Sequence, residues 1–128
     1  MSNCSCIYVA VDDFAKFYSI KIRKARKEYK CSECNRIIEI GEKYEYVRGL
    51  WEEGFNTYRT CLDCLSIRNE FFCDGWYYTS LHEYLLEHIR DTGGQISENC
   101  ILKLTRGAKD IVFNMIDDLW RRNDTISR

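Results

Sequence analysis

Lys30-Cys31-Ser32-Glu33-Cys34-Asn35 and Thr60-Cys61-Leu62-Asp63-Cys64 decide how this chain is read, because they are two Cys-x-x-Cys pairs with 26 residues between them. Each pair sets two sulfurs where they can share one ion. Zinc takes four thiolates tetrahedrally at about 2.3 Å, which leaves no open position for water or substrate. Cys31, Cys34, Cys61 and Cys64 are therefore the expected ligands of one structural zinc ion. Asn35 follows the first pair where a metal knuckle turns sharply, and asparagine tolerates the left-handed conformation better than most residues. Leu62, Leu65, Ile67, Phe71 and Phe72 begin a helical pattern at the second pair. Cys61 and Cys64 then fall in a first helical turn, where exposed amides can bond thiolate sulfur.

Between the pairs, Tyr44, Tyr46 and Arg48 alternate with Glu45 and Val47, and Glu52-Glu-Gly-Phe55 can turn the chain, so the pattern predicts a β-hairpin over about residues 43–60. Knuckle, hairpin and helix in that order form a treble-clef arrangement. Upstream, Ile7 to Val11 is apolar and β-branched, and Tyr18, Ile20 and Ile22 alternate with Ser19, Lys21 and Arg23. Both segments read as strands, the second with its basic residues toward solvent. Downstream, Gly75 offers a left-handed stop for the first helix. Ser80 and Glu83 form a capping box for a helix over 80–91, and Thr105 can cap another over 106–122. The expected architecture is a single α+β domain, residues 1–128. It has an N-terminal β portion, a zinc module over 23–74, and a helical part over 78–122 with two C-terminal helices.

Composition bounds the rest. The chain has 128 residues, 45% hydrophobic and 14% aromatic, with eight cysteines and no proline. That excludes a disordered chain and a large multidomain enzyme. Nineteen basic and twenty acidic residues give a net charge of −1, which hides an asymmetry. Lys21 to Arg36 holds seven basic residues against Glu28 and Glu33, whereas from Ile37 onward eleven basic residues face sixteen acidic ones. Met1-Ser-Asn-Cys-Ser-Cys6 lacks the features of a secretory signal, and no apolar run is long enough to span a bilayer. The expectation is a cytoplasmic protein without a membrane partner, in a compartment where such thiols bind metal more often than they form disulfides.

Cys4, Cys6, Cys73 and Cys100 remain, with His82 and His88. A second zinc site drawing on Cys4, Cys6 and Cys73, completed by Cys100 or a histidine, is chemically open, although these spacings match no standard ligand pair. Otherwise Cys100 is a small core residue. His82 is expected near a helix start facing solvent, and His88 at the edge of an apolar stripe. A treble-clef nuclease would need a histidine base near the hairpin, and no histidine precedes residue 82. The chain also lacks a phosphate-binding glycine loop, so an enzyme is not expected. The basic segment Lys21–Arg36, with Tyr18, Tyr29, Tyr44, Tyr46 and Trp51, is the alternative feature: it could hold nucleic-acid phosphates and stack bases.

Lys24-Ala-Arg-Lys-Glu-Tyr-Lys-Cys-Ser-Glu-Cys34, Gly41-Glu-Lys-Tyr44, Gly49-Leu-Trp51, Thr60-Cys-Leu-Asp-Cys64 and Phe72-Cys-Asp-Gly-Trp76 resemble a group of small, largely uncharacterised phage and prophage proteins. The resemblance covers most of the chain. It implies a viral or prophage origin, residence in the host cytoplasm and a zinc-binding fold. Small phage accessory proteins often bind and redirect host proteins, including defence complexes. The expected function is therefore that of a non-enzymatic, zinc-stabilised interaction protein acting on a host protein or complex, with Trp51 and Trp76 as candidate anchors. Nucleic-acid binding through Lys21–Arg36 is the alternative.

Overall fold

The computed structural model describes residues 7–11, 15–72 and 75–126, with side chains to 122. Strand β1 is Phe17–Lys24, followed by two short strands, β2 (Tyr29–Lys30) and β3 (Ile37–Ile38). The hairpin is β4 (Lys43–Trp51) and β5 (Gly54–Cys61). Four helices follow: α1 (Leu62–Phe71), α2 (Leu81–Asp91), α3 (Glu98–Leu102) and α4 (Arg106–Ile126). The α+β class, the hairpin and the three longer helices agree with the sequence reading. The pair β2-β3 and helix α3, which adds a third element to the two expected C-terminal helices, had no periodicity long enough to announce them.

β1, β4 and β5 form an antiparallel sheet in the order β1-β4-β5, and β2 pairs with β3. Register places Ile20 beside Val47 and Val47 beside Tyr58, so these residues share one face, while Lys21, Tyr46 and Arg59 share the other. α1 packs on β4 and β5. Val47, under that cover, is fully buried, whereas Ile20 and Ile22 on the edge strand are 43% and 54% exposed. The alternation of β1 is therefore real, but its apolar side reaches past the helix that would cover it.

One buried cluster runs through both halves, joining Cys31, Ile38, Tyr44, Cys61 and Cys64 to Phe71, Leu81, Leu85, Ile89, Ala108 and Val112. Residues 7–11 contribute Ile7 and Val9 to it, yet they form no strand. The Ile7 amide donates to the Phe71 carbonyl at 2.7 Å, so this segment packs against the end of α1 instead of joining a sheet. α1 stops at Phe71 because Phe72 turns extended. Gly75 has φ 140° but lies beyond that end, and so is not the helix stop expected of it.

Candidate metal centre

The first cysteine pair sits on a tight turn between β2 and β3. The Asn35 amide donates to the Cys31 carbonyl at 3.0 Å and the Cys31 amide to the Arg36 carbonyl at 2.8 Å. Asn35 takes the left-handed conformation, φ 65°, as its place in the knuckle predicts. The second pair spans the β5–α1 junction. Cys61 is the N-cap of α1, in extended backbone, and its sulfur accepts the Cys64 amide at 3.4 Å. Cys31 Sγ accepts two further amides, from Glu33 and Cys61, each at 3.4 Å. Donors aimed at sulfur favour the thiolate over the thiol.

All four Sγ atoms lie within 4.8 Å of one another, and Cys34 and Cys61 are 3.8 Å apart. A tetrahedron with metal–sulfur bonds of about 2.3 Å has edges of about 3.8 Å, so the donor set fits a single four-coordinate ion. Cys31, Cys61 and Cys64 are buried and Cys34 is half-buried, so the protein itself encloses the site. The electrostatics point the same way. Hydrogen bonds from its three sulfur neighbours push Cys31 below the ordinary thiol range, and Cys34 falls to about 7. Cys61 and Cys64 are pushed up, first by sharing protons with Cys31 and Cys34. Without a cation, the cluster can ionise only in part.

His82 is not at the surface. It is half-buried, and its Nε2 lies 3.1 Å from Cys64 Sγ. Burial holds the imidazole below its ordinary range, and ring and sulfur share a hydrogen bond whose direction follows the imidazole tautomer. The sequence expectation failed here because it judged His82 by its place on α2 alone, whereas α2 docks end-on against the cysteine cluster. His88 takes the expected edge position, its ring 6.2 Å from that of Phe71. Cys100 is buried in the core but disulfide-bonded, so it is neither the free core thiol nor the zinc ligand that the sequence left open. Cys4, Cys6 and Cys73 lie outside the described residues. Among the described residues, the only group of three or more candidate ligands is the Cys31, Cys34, Cys61, Cys64 set.

Each pair also carries an acid at its third position, a role the sequence reading missed. Glu33 accepts the Thr79 amide at 2.8 Å and the Leu81 amide at 3.1 Å, and so caps α2. The expected Ser80–Glu83 capping box does not form, since Ser80 makes no side-chain cap bond. Burial raises the Glu33 carboxyl above the usual carboxylate range, against the pull of those two amides. Asp63 accepts the Thr105 hydroxyl at 2.7 Å, while Thr105 Oγ1 takes the Ala108 amide at 3.2 Å, the cap foreseen for α4. A Cβ on Gly107 would overlap the Asp63 carboxylate, so only glycine lets α4 approach this closely. Arg36 ties the knuckle together, with a bidentate pair to Glu42 at 3.1 and 2.6 Å and Asp63 at 3.8 Å. That pairing lowers Glu42 and raises Arg36.

Trp51 and Trp76 are half-buried, not open anchors. Trp51 meets Tyr58 and Tyr78 edge-on, and Trp76 lies under Arg68 and against Tyr78. No described helix is long and apolar enough to cross a membrane. Fold and site together define an α+β protein organised around a four-cysteine metal-binding cluster. No protein-family model, curated protein or solved structure matches the chain.

Proposed function

We propose that the four cysteines hold one zinc ion in a treble-clef centre and that the protein is a non-enzymatic binding protein whose surface this centre fixes. The observation that carries the reading is the closed, mostly buried set of four sulfurs bonded by backbone amides and His82. Cys31, Cys34, Cys61 and Cys64 would supply every ligand, leaving no position for a substrate. The ion would contribute charge neutralisation and cross-linking. Sulfurs within 4.8 Å suit one metal atom, not a cluster of irons bridged by sulfide. Both histidines are engaged, His82 with Cys64 and His88 beside Phe71, so neither is placed as the hairpin base a treble-clef nuclease needs.

The resemblance to phage and prophage proteins sets the context: a small protein acting in the host cytoplasm on a host macromolecule, as host takeover or anti-defence factors do. The host protein or complex expected from sequence remains part of this proposal. The nucleic-acid reading has a specific observation in its favour, the cations on the open side of the sheet that form no ion pair with any described residue. The test is metal analysis combined with pull-down from host lysate. Stoichiometric zinc and a partner captured by the metal-loaded protein, then lost on chelation, support the proposal. Absence of bound metal, or turnover of substrate by the purified protein, refutes it.

A further inference from the structure

The side of the β1-β4-β5 sheet that faces away from α1 is basic and aromatic, and its strand residues include no acid among the described residues. Register places Phe17, Ser19, Lys21 and Arg23 of β1 on it, with Tyr46, Arg48 and Leu50 of β4 and Phe55, Thr57 and Arg59 of β5; Tyr44 and Cys61 share this side beside Arg23 but are buried, so the open part ends at Tyr46. The single acid within these three strands, Glu45, lies on the other side and is bound to Arg68. Lys21, Arg23, Arg48 and Arg59 form no ion pair with any described residue.

These cations alternate with rings. Arg23 lies 3.9 Å from the Tyr46 centroid, and Arg59 lies 4.3 Å from Tyr29 and 5.4 Å from Tyr46. Arg48 lies 5.2 Å from the Phe55 ring, which meets Phe17 edge-on at 5.6 Å. Phe17 and Phe55 are 57% and 55% exposed, an unusual placement for two phenylalanines on a charged surface. Arginine over a ring presents a guanidinium plane on which a base can stack, Arg23 and Arg48 at the surface and Arg59 half-buried with its Nε enclosed.

Four cations without an ion-pair partner among the described residues call for a polyanion, and open rings beside them call for a polyanion that carries planar apolar groups. We infer that this face binds single-stranded nucleic acid, with phosphates on Lys21, Arg23, Arg48 and Arg59 and bases on Phe17 and Phe55. The inference rests on the reading of the protein as a zinc-organised binding protein and names the partner class. It also moves the site from the linear Lys21–Arg36 segment to a surface shared by three strands. A duplex fits less well, because its bases are already stacked and cannot reach the rings.

The test is fluorescence anisotropy with the full-length, metal-loaded protein and labelled oligothymidylate and oligouridylate of about 15 nucleotides, beside a duplex of equal length, at about 50 to 200 mM salt. Single strands should bind roughly tenfold or more tightly than the duplex, with a log–log salt slope near −3 if about four phosphates are neutralised. Arg23→Ser and Arg48→Ser should each reduce that slope by about 0.7. Phe55→Ser should weaken binding roughly tenfold with the slope unchanged, a signature that lost charge cannot produce.

No binding at the lowest salt, preference for the duplex, or indifference to all three substitutions in variants with intact circular dichroism overturns the inference. So does a host protein that occupies this face and is displaced by Phe17→Ser. The zinc reading fails separately, through a chelated protein that keeps its fold.

Discussion

The two faces of the β1-β4-β5 sheet treat arginine in opposite ways. On the covered face, Arg68 is bound by both oxygens of Glu45, at 2.8 and 2.6 Å, lies 4.4 Å from the Trp76 ring, and has a side chain only 7% exposed. On the open face, Arg23, Arg48 and Arg59 rest on rings and pair with no described carboxylate. A buried charge must be compensated within the fold, because its desolvation costs several kcal/mol. A charge left at the surface costs little to keep and is available to a partner. We assign stability to the covered face and the four-cysteine cluster, and the proposed recognition to the open face.

The sharpest way to break that division is at the ligands. Cys64→Ser should unfold the protein, since peptide-scale zinc sites are worth about 10–16 kcal/mol at pH 7 against a total domain stability of about 5–15 kcal/mol; far-ultraviolet circular dichroism of the purified variant checks this. Next, Arg68→Ala strands Glu45 in the core and should cost about 3–5 kcal/mol in urea unfolding. Replacing both partners together, as Arg68→Met with Glu45→Leu, should recover much of that loss.

Smaller effects are expected at the links between the metal centre and the helices. Glu33→Ala leaves the Thr79 and Leu81 amides uncapped and should cost about 1–2 kcal/mol, read from the denaturation midpoint. His82→Phe keeps a ring but loses the hydrogen bond to Cys64, and should lower zinc affinity roughly 10- to 100-fold in a chelator competition. Smallest of all, Arg48→Ser should leave stability within about 0.5 kcal/mol of the parent while weakening oligonucleotide binding. A stability loss at Arg48 as large as that at Arg68 would erase the contrast between the faces.

What was legible in sequence follows the range of each signal. The four-cysteine cluster, the hairpin and the main helices are written in local spacing, and Asn35 and Thr105 act as their neighbours predict. His82, Glu33 and Asp63 were missed because their roles depend on where α2 and α4 dock. Glu33 reaches Thr79 and Leu81 across more than forty residues of chain. One signal was available: an acid at the third position of both Cys-x-x-Cys pairs. The open face was half visible. The basic run pointed to β1, but Arg48, Phe55 and Arg59 join it only through strand register, which no count of charges along the chain reveals.

The central claim is that one metal ion at Cys31, Cys34, Cys61 and Cys64 organises both the sheet and the helices docked on it. Thermal unfolding followed by circular dichroism, before and after metal removal by a chelator, tests it most directly. The account predicts one cooperative transition in the metal-loaded protein, and loss of helix as well as strand signal once the metal is gone, because Glu33 caps α2 and Asp63 holds the Thr105 that caps α4. A chelated protein with an unchanged spectrum and an unchanged transition would contradict it.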